Sequence, residues 1–273
     1  MTGTGMTGTG MTGFARHVAA CNTARLPGAH TRLFLGAARV GFLAPPVAAA
    51  LEGFGVPRLG DRLVVPPGDS PQDESLQGLA SRLVAAGLAR DRHEAFDVRA
   101  APGGRVLARL DRGAIPAFGV LSQGAHLNGL VRRPDGVHLW VARRAAHKAL
   151  DPGKLDHMVA GGVPAGLTPW QTLVKEADEE ASLPPGLLAR ARPAPMLAYA
   201  MQRPEGLRRD AIHVWDVDLP ESFVPVPNDD EVERFELWPL PRVLEAVRDT
   251  DDFKFNVNLV LIGLARREGL LAP

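Results

Sequence analysis

The chain has 273 residues, of which 45% are hydrophobic and 23% are charged, a balance typical of globular proteins. Lysine and arginine total 31, as do aspartate and glutamate, so the chain lacks the excess positive charge typical of nucleic-acid-binding proteins. No stretch approaches the roughly 20 apolar residues that span a bilayer, and the lone Cys21 excludes an intrachain disulfide. These features predict a cytoplasmic protein that binds neither nucleic acid nor membranes.

The length predicts two lobes, because a single core rarely grows beyond about 250 residues. The N-terminal repeat of Met, Thr and Gly lacks the basic and apolar regions of a signal peptide. We therefore expect a flexible tail over residues 1–12. An accessory domain over residues 13–112 and a second domain over residues 113–273 follow it.

The accessory domain is predicted to be a smaller α/β lobe. Its residue pattern indicates a strand over 39–44, a helix over 45–54 and an amphipathic helix over 72–86. In the last of these, leucines recur at helical spacing at Leu76, Leu79 and Leu83.

The second domain opens with two apolar segments that flank the turn residues Pro134, Asp135 and Gly136, which predicts a β-hairpin. Further strands are predicted over 196–201, 211–218 and 232–238, and a C-terminal helix over 256–267. The resulting fold class is α+β, with a mixed sheet flanked by helices.

A helix is strongly indicated after Gly161 and Gly162, because Thr168 is a favourable N-cap and Pro169 suits the first helical position. Its apolar residues fall at helical spacing, which predicts one buried stripe. That stripe comprises Trp170, Leu173, Val174, Ala177 and Ala181.

Three glutamates, Glu176, Glu179 and Glu180, are predicted on the side of this helix opposite the stripe. Carboxylates spaced by three and four residues lie on adjacent turns, where they repel unless they share a cation. Mg²⁺ prefers such oxygen ligands together with substrate phosphates, whereas a solvated acidic face is the alternative interpretation. Gly161 and Gly162 also permit a close approach that a side chain would block.

The segment resembles the Nudix box. That pattern is a glycine, five residues, a glutamate, seven residues, an Arg-Glu-aliphatic triplet, one residue, a Glu-Glu pair, one residue, a glycine and an aliphatic residue. The residues that carry the resemblance are Gly161, Lys175-Glu176-Ala177, Glu179-Glu180 and Leu183. Three positions depart from the pattern: Leu167 replaces its first glutamate, Lys175 its arginine and Ser182 its second glycine.

The resemblance implies a Nudix fold, an α/β/α sandwich, and a hydrolase that uses Mg²⁺ or Mn²⁺. It implies metal ligation by Glu176, Glu179, Glu180 and Gly161, with catalytic roles for the three glutamates and for Lys175, which would orient a glutamate. Lysine cannot reproduce the two-pronged donor geometry of arginine.

Segments outside the box are similar to a Nudix subfamily with an extra N-terminal domain. This subfamily resembles the Nudix portion of fungal thiamine pyrophosphokinase fusions and related plant proteins. The segments include FARHVAACNTARLPG, DRGAIPAFGVLSQGAHLNGLV and FKFNVNLVLIGLARREGLL. The resemblance implies hydrolysis of thiamine diphosphate, or of its oxo and oxy analogues, to the monophosphate.

A diphosphate requires cationic side chains near the carboxylate helix. The candidates are Arg143, Arg144, Lys148 and Lys154. Since Arg143 and Arg144 alternate faces of a strand, only one of them is expected to face the site. Ordinary surface charge is the alternative for each.

His126 and Asn128 share a face of the first hairpin strand, so we expect them to meet the organic part of the substrate, although a structural histidine fits equally well. Trp140 and Trp215 could stack on a heterocycle or lie in the core. Glu231 could be an additional metal ligand or base, or a solvated strand end.

Two other functions remain open from the sequence. One is hydrolysis of ADP-ribose or another nucleoside diphosphate conjugate, and the other is a non-catalytic sensor of a phosphorylated ligand. The accessory domain is predicted to supply substrate specificity, with Arg16, Asn22 and Arg25 as candidate contacts. The expected partner is a small-molecule diphosphate, and a homodimer is left open.

Overall fold

The computed structural model describes residues 9–67, 75–148 and 150–272. Its helices are α1 (Thr9–Cys21), α2 (Pro45–Gly53), α3 (Ser75–Ala85), α4 (Ile115–Phe118), α5 (Pro169–Ala181), α6 (Pro185–Leu188), α7 (Leu240–Asp249) and α8 (Val257–Arg267). Its strands are β1 (Thr31–Leu35), β2 (Ala38–Leu43), β3 (Arg58–Leu59), β4 (Arg62–Val65), β5 (Ala95–Val98), β6 (Ala108–Asp111), β7 (Leu121–Arg133), β8 (Gly136–Arg144), β9 (Leu155–His157), β10 (Val159–Gly162), β11 (Arg192–Arg203), β12 (Gly206–Asp218) and β13 (Val232–Pro239).

The accessory lobe contains a four-stranded sheet in the order β2-β1-β4-β3 and a separate β5-β6 hairpin. Its core joins both sheets to α2 and α3, and Leu33, Leu51, Leu76 and Leu83 lie fully inside it. The same core extends through α4 to Val120. The boundary after Arg112 remains a prediction, since side chains on both sides of it share one core.

The second lobe is built on a seven-stranded mixed sheet. Its main path is β11-β12-β7-β8-β13, with β10 beside β7 and β9 beside β8. Strands β7 and β12 run parallel, whereas β7 and β8 are antiparallel. The predicted α+β class with a mixed sheet is confirmed.

Helices cover both faces of this sheet, because successive residues of a strand point to opposite sides. From β7, Leu127 packs in a core with Leu173 and Ala177 of α5. Leu130 of the same strand packs in another core, with Val243 of α7 and Leu261 of α8. In the described part of the chain, no helix is long and apolar enough to cross a membrane.

Helix α1 packs on α7, α8 and β11 of the second lobe. Phe14 shares the core of α7 and α8, and the buried Cys21 packs beside β11, β12 and α8. The predicted flexible tail therefore differs from the structure over 9–12, which are helical, because the helix continues back from residues with tertiary partners. Residues 1–8 lie outside the described part.

The longer predicted elements occur within a few residues of their expected bounds. The hairpin strands are β7 and β8, and the predicted helix over 256–267 corresponds to α8. The start of the predicted helix over 72–86 lies outside the described residues, which show α3 from Ser75. Helix α7 and the accessory-lobe strands other than β2 were missed, whereas β2 (Ala38–Leu43) matches the strand predicted over 39–44.

Candidate active site

Helix α5 begins at the predicted N-cap, Thr168, which forms a complete capping box with Gln171. The Thr168 hydroxyl accepts a hydrogen bond from the Gln171 backbone N–H at 3.2 Å, and the Gln171 side chain accepts one from the Thr168 N–H at 2.9 Å. Pro169 follows at the first helical position. These contacts satisfy backbone N–H groups that the start of a helix otherwise leaves without partners. They also fix the residue at which the helix that carries the carboxylates begins.

The buried face of α5 differs from the predicted stripe. Leu173, Ala177 and Ala181 are buried, but Trp170 and Val174 remain 39% and 42% exposed. Trp170 lies on the surface against Trp215, with the ring centroids 5.8 Å apart. The helix is rotated so that its glutamate side also meets the sheet, which buries Glu180.

Glu180 is only 4% exposed, and its Oε2 accepts a 2.7 Å hydrogen bond from the Ala160 N–H of β10. Burial raises the pKa of Glu180 well above its usual value, and the negative charges of Glu176 and Asp156 add to the shift. Burial also raises the pKa of Glu176. The fold therefore holds two carboxylates where negative charge is costly.

The two glycines of β10 leave room for two different side chains. A Cβ on Gly161 would lie 2.4 Å from Cγ of Glu176, and a Cβ on Gly162 would lie 2.8 Å from the ring of Phe96. Heavy atoms cannot approach this closely without displacement. The predicted close approach at the glycines is thus the contact that brings Glu176 from α5, and Phe96 from the accessory lobe, onto the strand.

Lys175 is the cation that pairs with two of the α5 carboxylates. Its Nζ lies 2.5 Å from Glu179 and 3.6 Å from Glu176. The hydrogen bond to Glu179 raises the pKa of Lys175, so the ammonium stays charged. The residue that replaces the expected arginine therefore does contact two of the predicted ligands.

The donor set fits a hard divalent cation, although in the described part of the chain no three acidic, histidine or cysteine side chains are already gathered around one point. The available donors are carboxylate oxygens, which Mg²⁺ prefers. Burial raises the pKa of two of these carboxyl groups, those of Glu176 and Glu180, and a bound cation would favour their ionised form. Residues that would hold the cation are Glu176, Glu179 and Glu180, with the Gly161 carbonyl as the further predicted donor.

A cavity of about 660 Å³ opens beside this helix between the two lobes. Its carboxylate wall includes Glu176, Glu179 and Glu231 together with Asp229 and Asp230. The accessory lobe contributes a second wall that includes Arg90, Arg92, Glu94, Phe96 and Arg112. A volume of this size suits a small organic ligand.

The predicted substrate-binding cations are divided by the structure. Arg144 and Lys148 line the cavity, whereas Arg143 and Lys154 do not. Arg143 donates to the Gly153 carbonyl at 2.9 Å, and Lys154 donates to the Asp251 carbonyl at 2.7 Å. Arg143 and Arg144 differ because successive residues of a strand point to opposite faces, so only Arg144 faces the cavity.

The floor of the cavity contains three buried polar residues, of which His126 was predicted. Lys254 and Asn256, from the segment before α8, were not. All three are less than a tenth exposed, and the described residues offer no hydrogen-bond partner to His126 Nδ1 or Asn256 Oδ1. Burial, with the nearby His157 and Lys254, lowers the pKa of His126 well below its usual value, so its ring is neutral. These two atoms are therefore buried without a hydrogen-bond partner among the described residues.

Asp156 anchors the charges below this floor. Its Oδ2 accepts from Arg144 at 3.0 Å and from Lys254 at 3.2 Å. Burial alone would raise the pKa of Asp156, but the positive charges of Lys254 and Arg144 outweigh it and hold the pKa well below its usual range. Arg144 also donates to two backbone carbonyls, so its main role here is to brace Asp156.

Asn128 lies outside the cavity. Its amide donates to Asp216 at 2.7 Å, and Asp216 also accepts from Arg267 of α8 at 2.9 Å. The predicted shared face with His126 is present, but α8 covers it at Asn128 and leaves it open at His126. Sequence alternation defines the face, and packing decides which part a ligand can reach.

Of the remaining candidates, one lines the cavity and two do not. Glu231 lines the cavity and lies 2.5 Å from Lys148. Trp140 is buried in the core with α5, and Trp215 packs between Trp170 and His213. Neither tryptophan lines the cavity, so for each of them a structural role fits better than stacking on a ligand there.

The predicted accessory-lobe contacts lie elsewhere. Arg16 pairs with Asp251 beside α7, and the Asn22 amide donates to the Val18 carbonyl at 2.9 Å. Arg25 does not line the cavity either. The accessory-lobe arginines that do reach it are Arg90, Arg92 and Arg112. No local sequence signal marks them, because their placement depends on how the two lobes pack.

Comparison with known proteins identifies the second lobe. The family model described as NUDIX domain matches residues 125–257. Nudix hydrolase 20, chloroplastic, from Arabidopsis thaliana is 37% identical over 182 residues, which cover 67% of this chain and 49% of that protein. Nudix hydrolase 24, chloroplastic, from the same plant is also 37% identical over 182 residues, with 67% and 50% covered.

The chain therefore spans about half the length of these curated relatives. Among solved structures, that of DR0079 from Deinococcus radiodurans is 21% identical with a TM-score of 0.48, covering 64% of this chain and 99% of that one. The plant names specify chloroplasts, so the cytoplasmic location remains a prediction, as does the likeness to thiamine pyrophosphokinase fusions. The matched segment contains the mixed sheet and the capped carboxylate helix, and residues 125–257 of this chain form a Nudix domain.

Proposed function

We propose that this protein hydrolyses the phosphoanhydride bond of a small-molecule diphosphate, with Mg²⁺ or Mn²⁺ as cofactor. In this reaction the oxygen of water bonds to one phosphorus, the bridging P–O bond breaks, and the products are a monophosphate and inorganic phosphate. One of the α5 glutamates accepts the water proton. A divalent cation held by these glutamates would neutralise charge on the phosphate oxygens and lower the pKa of water.

The observation that carries this proposal is the burial of Glu176 and Glu180 beside a cavity without enough compensating charge. A purely structural acid would be paired as Asp156 is, with two cations within hydrogen-bonding distance. Glu180 instead receives one backbone N–H and has no ion-pair partner among the described residues, since Lys175 pairs with Glu176 and Glu179. Such an arrangement costs stability unless a cation binds.

The other cavity residues have separable roles in this reaction. Lys175 orients Glu179, and Lys148 holds Glu231 at the carboxylate wall. The floor residues His126, Lys254 and Asn256 line the cavity and supply its polar contacts to the ligand. Since His126 is neutral, it orients the ligand as a hydrogen-bonding group and not as a cation.

Thiamine diphosphate, or one of its oxo or oxy analogues, is the substrate that the sequence resemblance favours. A nucleoside diphosphate conjugate such as ADP-ribose is the alternative, because a metal site that acts on the anhydride does not by itself select the organic group of the substrate. The lobes together enclose that group, so the accessory lobe is where specificity is expected.

The test is release of phosphate or nucleoside monophosphate from a panel of diphosphates, with Mg²⁺, with Mn²⁺ and with a chelator. The proposal expects metal-dependent turnover with thiamine-type diphosphates ranked first by kcat/KM. A first rank for ADP-ribose would retain the hydrolase and replace the substrate. Saturable binding without turnover would overturn hydrolysis in favour of a sensor.

A further inference from the structure

We propose that the accessory lobe supplies an oxyanion-binding arm to the Nudix site, formed by Arg112 together with Arg90 and Arg92. The arm would hold the phosphate oxygens of a ligand opposite the carboxylate wall. This inference rests on the proposed function to the extent that the cavity receives a diphosphate.

The consecutive glycines of β10 bring Arg112 and one of the proposed metal-binding residues, Glu176, onto the same strand. A Cβ on Gly162 would lie 3.7 Å from Nη2 of Arg112, and a Cβ on Gly161 would lie 2.8 Å from Oε1 of Glu176. Neighbouring Cα atoms are about 3.8 Å apart along a chain. The guanidinium and the carboxylate therefore approach adjacent residues of one strand from its two faces, and both line the same cavity although they come from different lobes.

Arg112 is oriented by its own lobe and retains donors for a ligand. Its Nη1 donates to Glu94 at 2.8 Å, and its guanidinium carbon lies 5.5 Å from the centre of the Phe96 ring. The described residues provide no hydrogen-bond acceptor for Nε or Nη2, and the side chain is 49% exposed at the cavity. A fixed guanidinium with free donors suits planar oxyanion recognition.

A buried carboxylate positions the segment that carries the other two arginines. Asp111 is 7% exposed, and its oxygens accept from the backbone N–H groups of Arg92 and Gly113 at 2.9 and 2.7 Å. The Glu94 N–H donates to the same carboxylate at 3.1 Å. Asp111 thus joins the loop before β5 to the end of β6, so that all three arginines reach the cavity from one braced unit.

Charge balance favours these arginines as the ligand-binding cations. Nine lysines and arginines line the cavity, and seven of them have a carboxylate partner. Among the described residues, Arg90 and Arg92 have no such partner. A diphosphate brings about three negative charges, of which a divalent cation offsets about two. The unpaired guanidinium groups supply the remaining positive charge.

The test measures binding of methylenediphosphonate, a non-hydrolysable diphosphate, by calorimetry with Mg²⁺, in the wild-type chain and in Arg112→Gln, Arg112→Lys and the double variant Arg90→Gln/Arg92→Gln. We expect Kd to rise at least about tenfold in Arg112→Gln, with partial recovery in Arg112→Lys. The double variant should weaken binding and reduce its salt dependence. It also leaves the Arg112–Glu94 pair in place, which guards against misfolding.

Arg109→Gln is the matched control. Arg109 is a half-buried arginine of strand β6, which ends just before Arg112. It pairs with Asp97 at 3.6 Å and approaches Gly166 of the Nudix domain, but it does not line the cavity. It should leave the diphosphonate Kd unchanged. Equal loss of affinity in this control would overturn the proposal, since it would show a general effect of surface charge.

The outcomes also separate this inference from the proposed function. Unchanged diphosphonate affinity in both Arg112→Gln and the double variant, with folded proteins and metal-dependent hydrolysis intact, would overturn the arm and leave the hydrolase standing. Arginine-dependent binding in a protein that turns over no diphosphate would support the arm and remove the hydrolase.

Discussion

Two clusters of buried acid lie close together in this molecule, and the fold treats them in opposite ways. Asp156, below the cavity floor, has Arg144 and Lys254 within hydrogen-bonding distance, and its pKa is held low. Glu180, on α5, is just as buried, but its pKa is raised by that burial. Burial alone therefore does not mark a functional acid. Under the proposed function, the absence of compensating charge at Glu180 is what would allow a cation to bind there, whereas the charges around Asp156 are already paired.

The largest effect is expected when the complete cluster is broken. Asp156→Asn removes the one negative charge that balances two buried cations, so it should reduce the free energy of unfolding by about 3–5 kcal/mol. Urea unfolding at pH 7.5 measures this. A loss no larger than that of Asp230→Asn, an exposed cavity acid, would show that the cluster is not internally compensated.

His157 should make the same cluster acid-sensitive. Burial lowers the pKa of His157 to about 4, whereas the unfolded chain takes up this proton near pH 6.5. The unfolded state then binds more protons between these values, so stability falls as pH drops from 6.5 to 4, by about 3 kcal/mol in total. The measurement is the free energy of unfolding against pH, and a slope in His157→Gln equal to that of the wild type would contradict it.

The incomplete cluster should respond in the opposite sense to loss of charge. Glu180→Gln or Glu179→Gln should lower kcat by about two orders of magnitude, because a ligand of the cation is removed. Without metal, Glu180→Gln should be at least as stable as the wild type, since it removes an unpaired buried charge. Asp178→Asn, an exposed acid on the same helix, is the control. Near-normal turnover in both glutamine variants would refute the assignment.

Metal binding should depend on pH because of the same raised pKa values. A carboxyl group whose pKa is raised in the folded state contributes stability below its unfolded pKa, and that contribution is lost as pH rises through the folded value. Mg²⁺ competes with these protons, so the increase in Tm on adding Mg²⁺ should be larger at pH 8 than at pH 5. Equal increases would mean that Glu176 and Glu180 are not ligands.

The smallest effect is expected from giving α5 an arginine that is held in place by a carboxylate, as Arg144 is held by Asp156. Leu167→Glu combined with Lys175→Arg should raise kcat/KM several-fold, and by more than the two single changes predict together, since contacting groups couple. A double-mutant cycle measures the coupling. Strict additivity would show that the two positions do not communicate.

Local signals made α5 and the order of the major strands predictable, but not the orientation of the helix. Thr168 and Pro169 fixed its start, and the spacing of Glu176, Glu179 and Glu180 identified the acidic cluster. Which face meets the sheet depends on β10, and that contact buries Glu180 and exposes Trp170.

The rest of the site depends on residues distant in sequence. Lys254 meets the segment around Asp156 only through the packing of α8, and Arg112 reaches Gly162 only through the packing of the two lobes. Neither residue has a periodic or motif-based signature. The short strands β3 to β6 were missed for a related reason, since elements of two to four residues carry too little alternation to recognise.

The position of α1 has a consequence for biosynthesis. His17 meets the Val247 carbonyl at 2.6 Å, and the Cys21 thiol donates to the Phe255 carbonyl, so the earliest helix packs against the last two. A ribosome must add more than 200 further residues before these partners exist, at a rate of about 5–20 residues per second. The accessory lobe can form its own core meanwhile, but α1 must wait with its apolar side uncovered for roughly 10–50 seconds, an interval in which a chaperone would find it accessible.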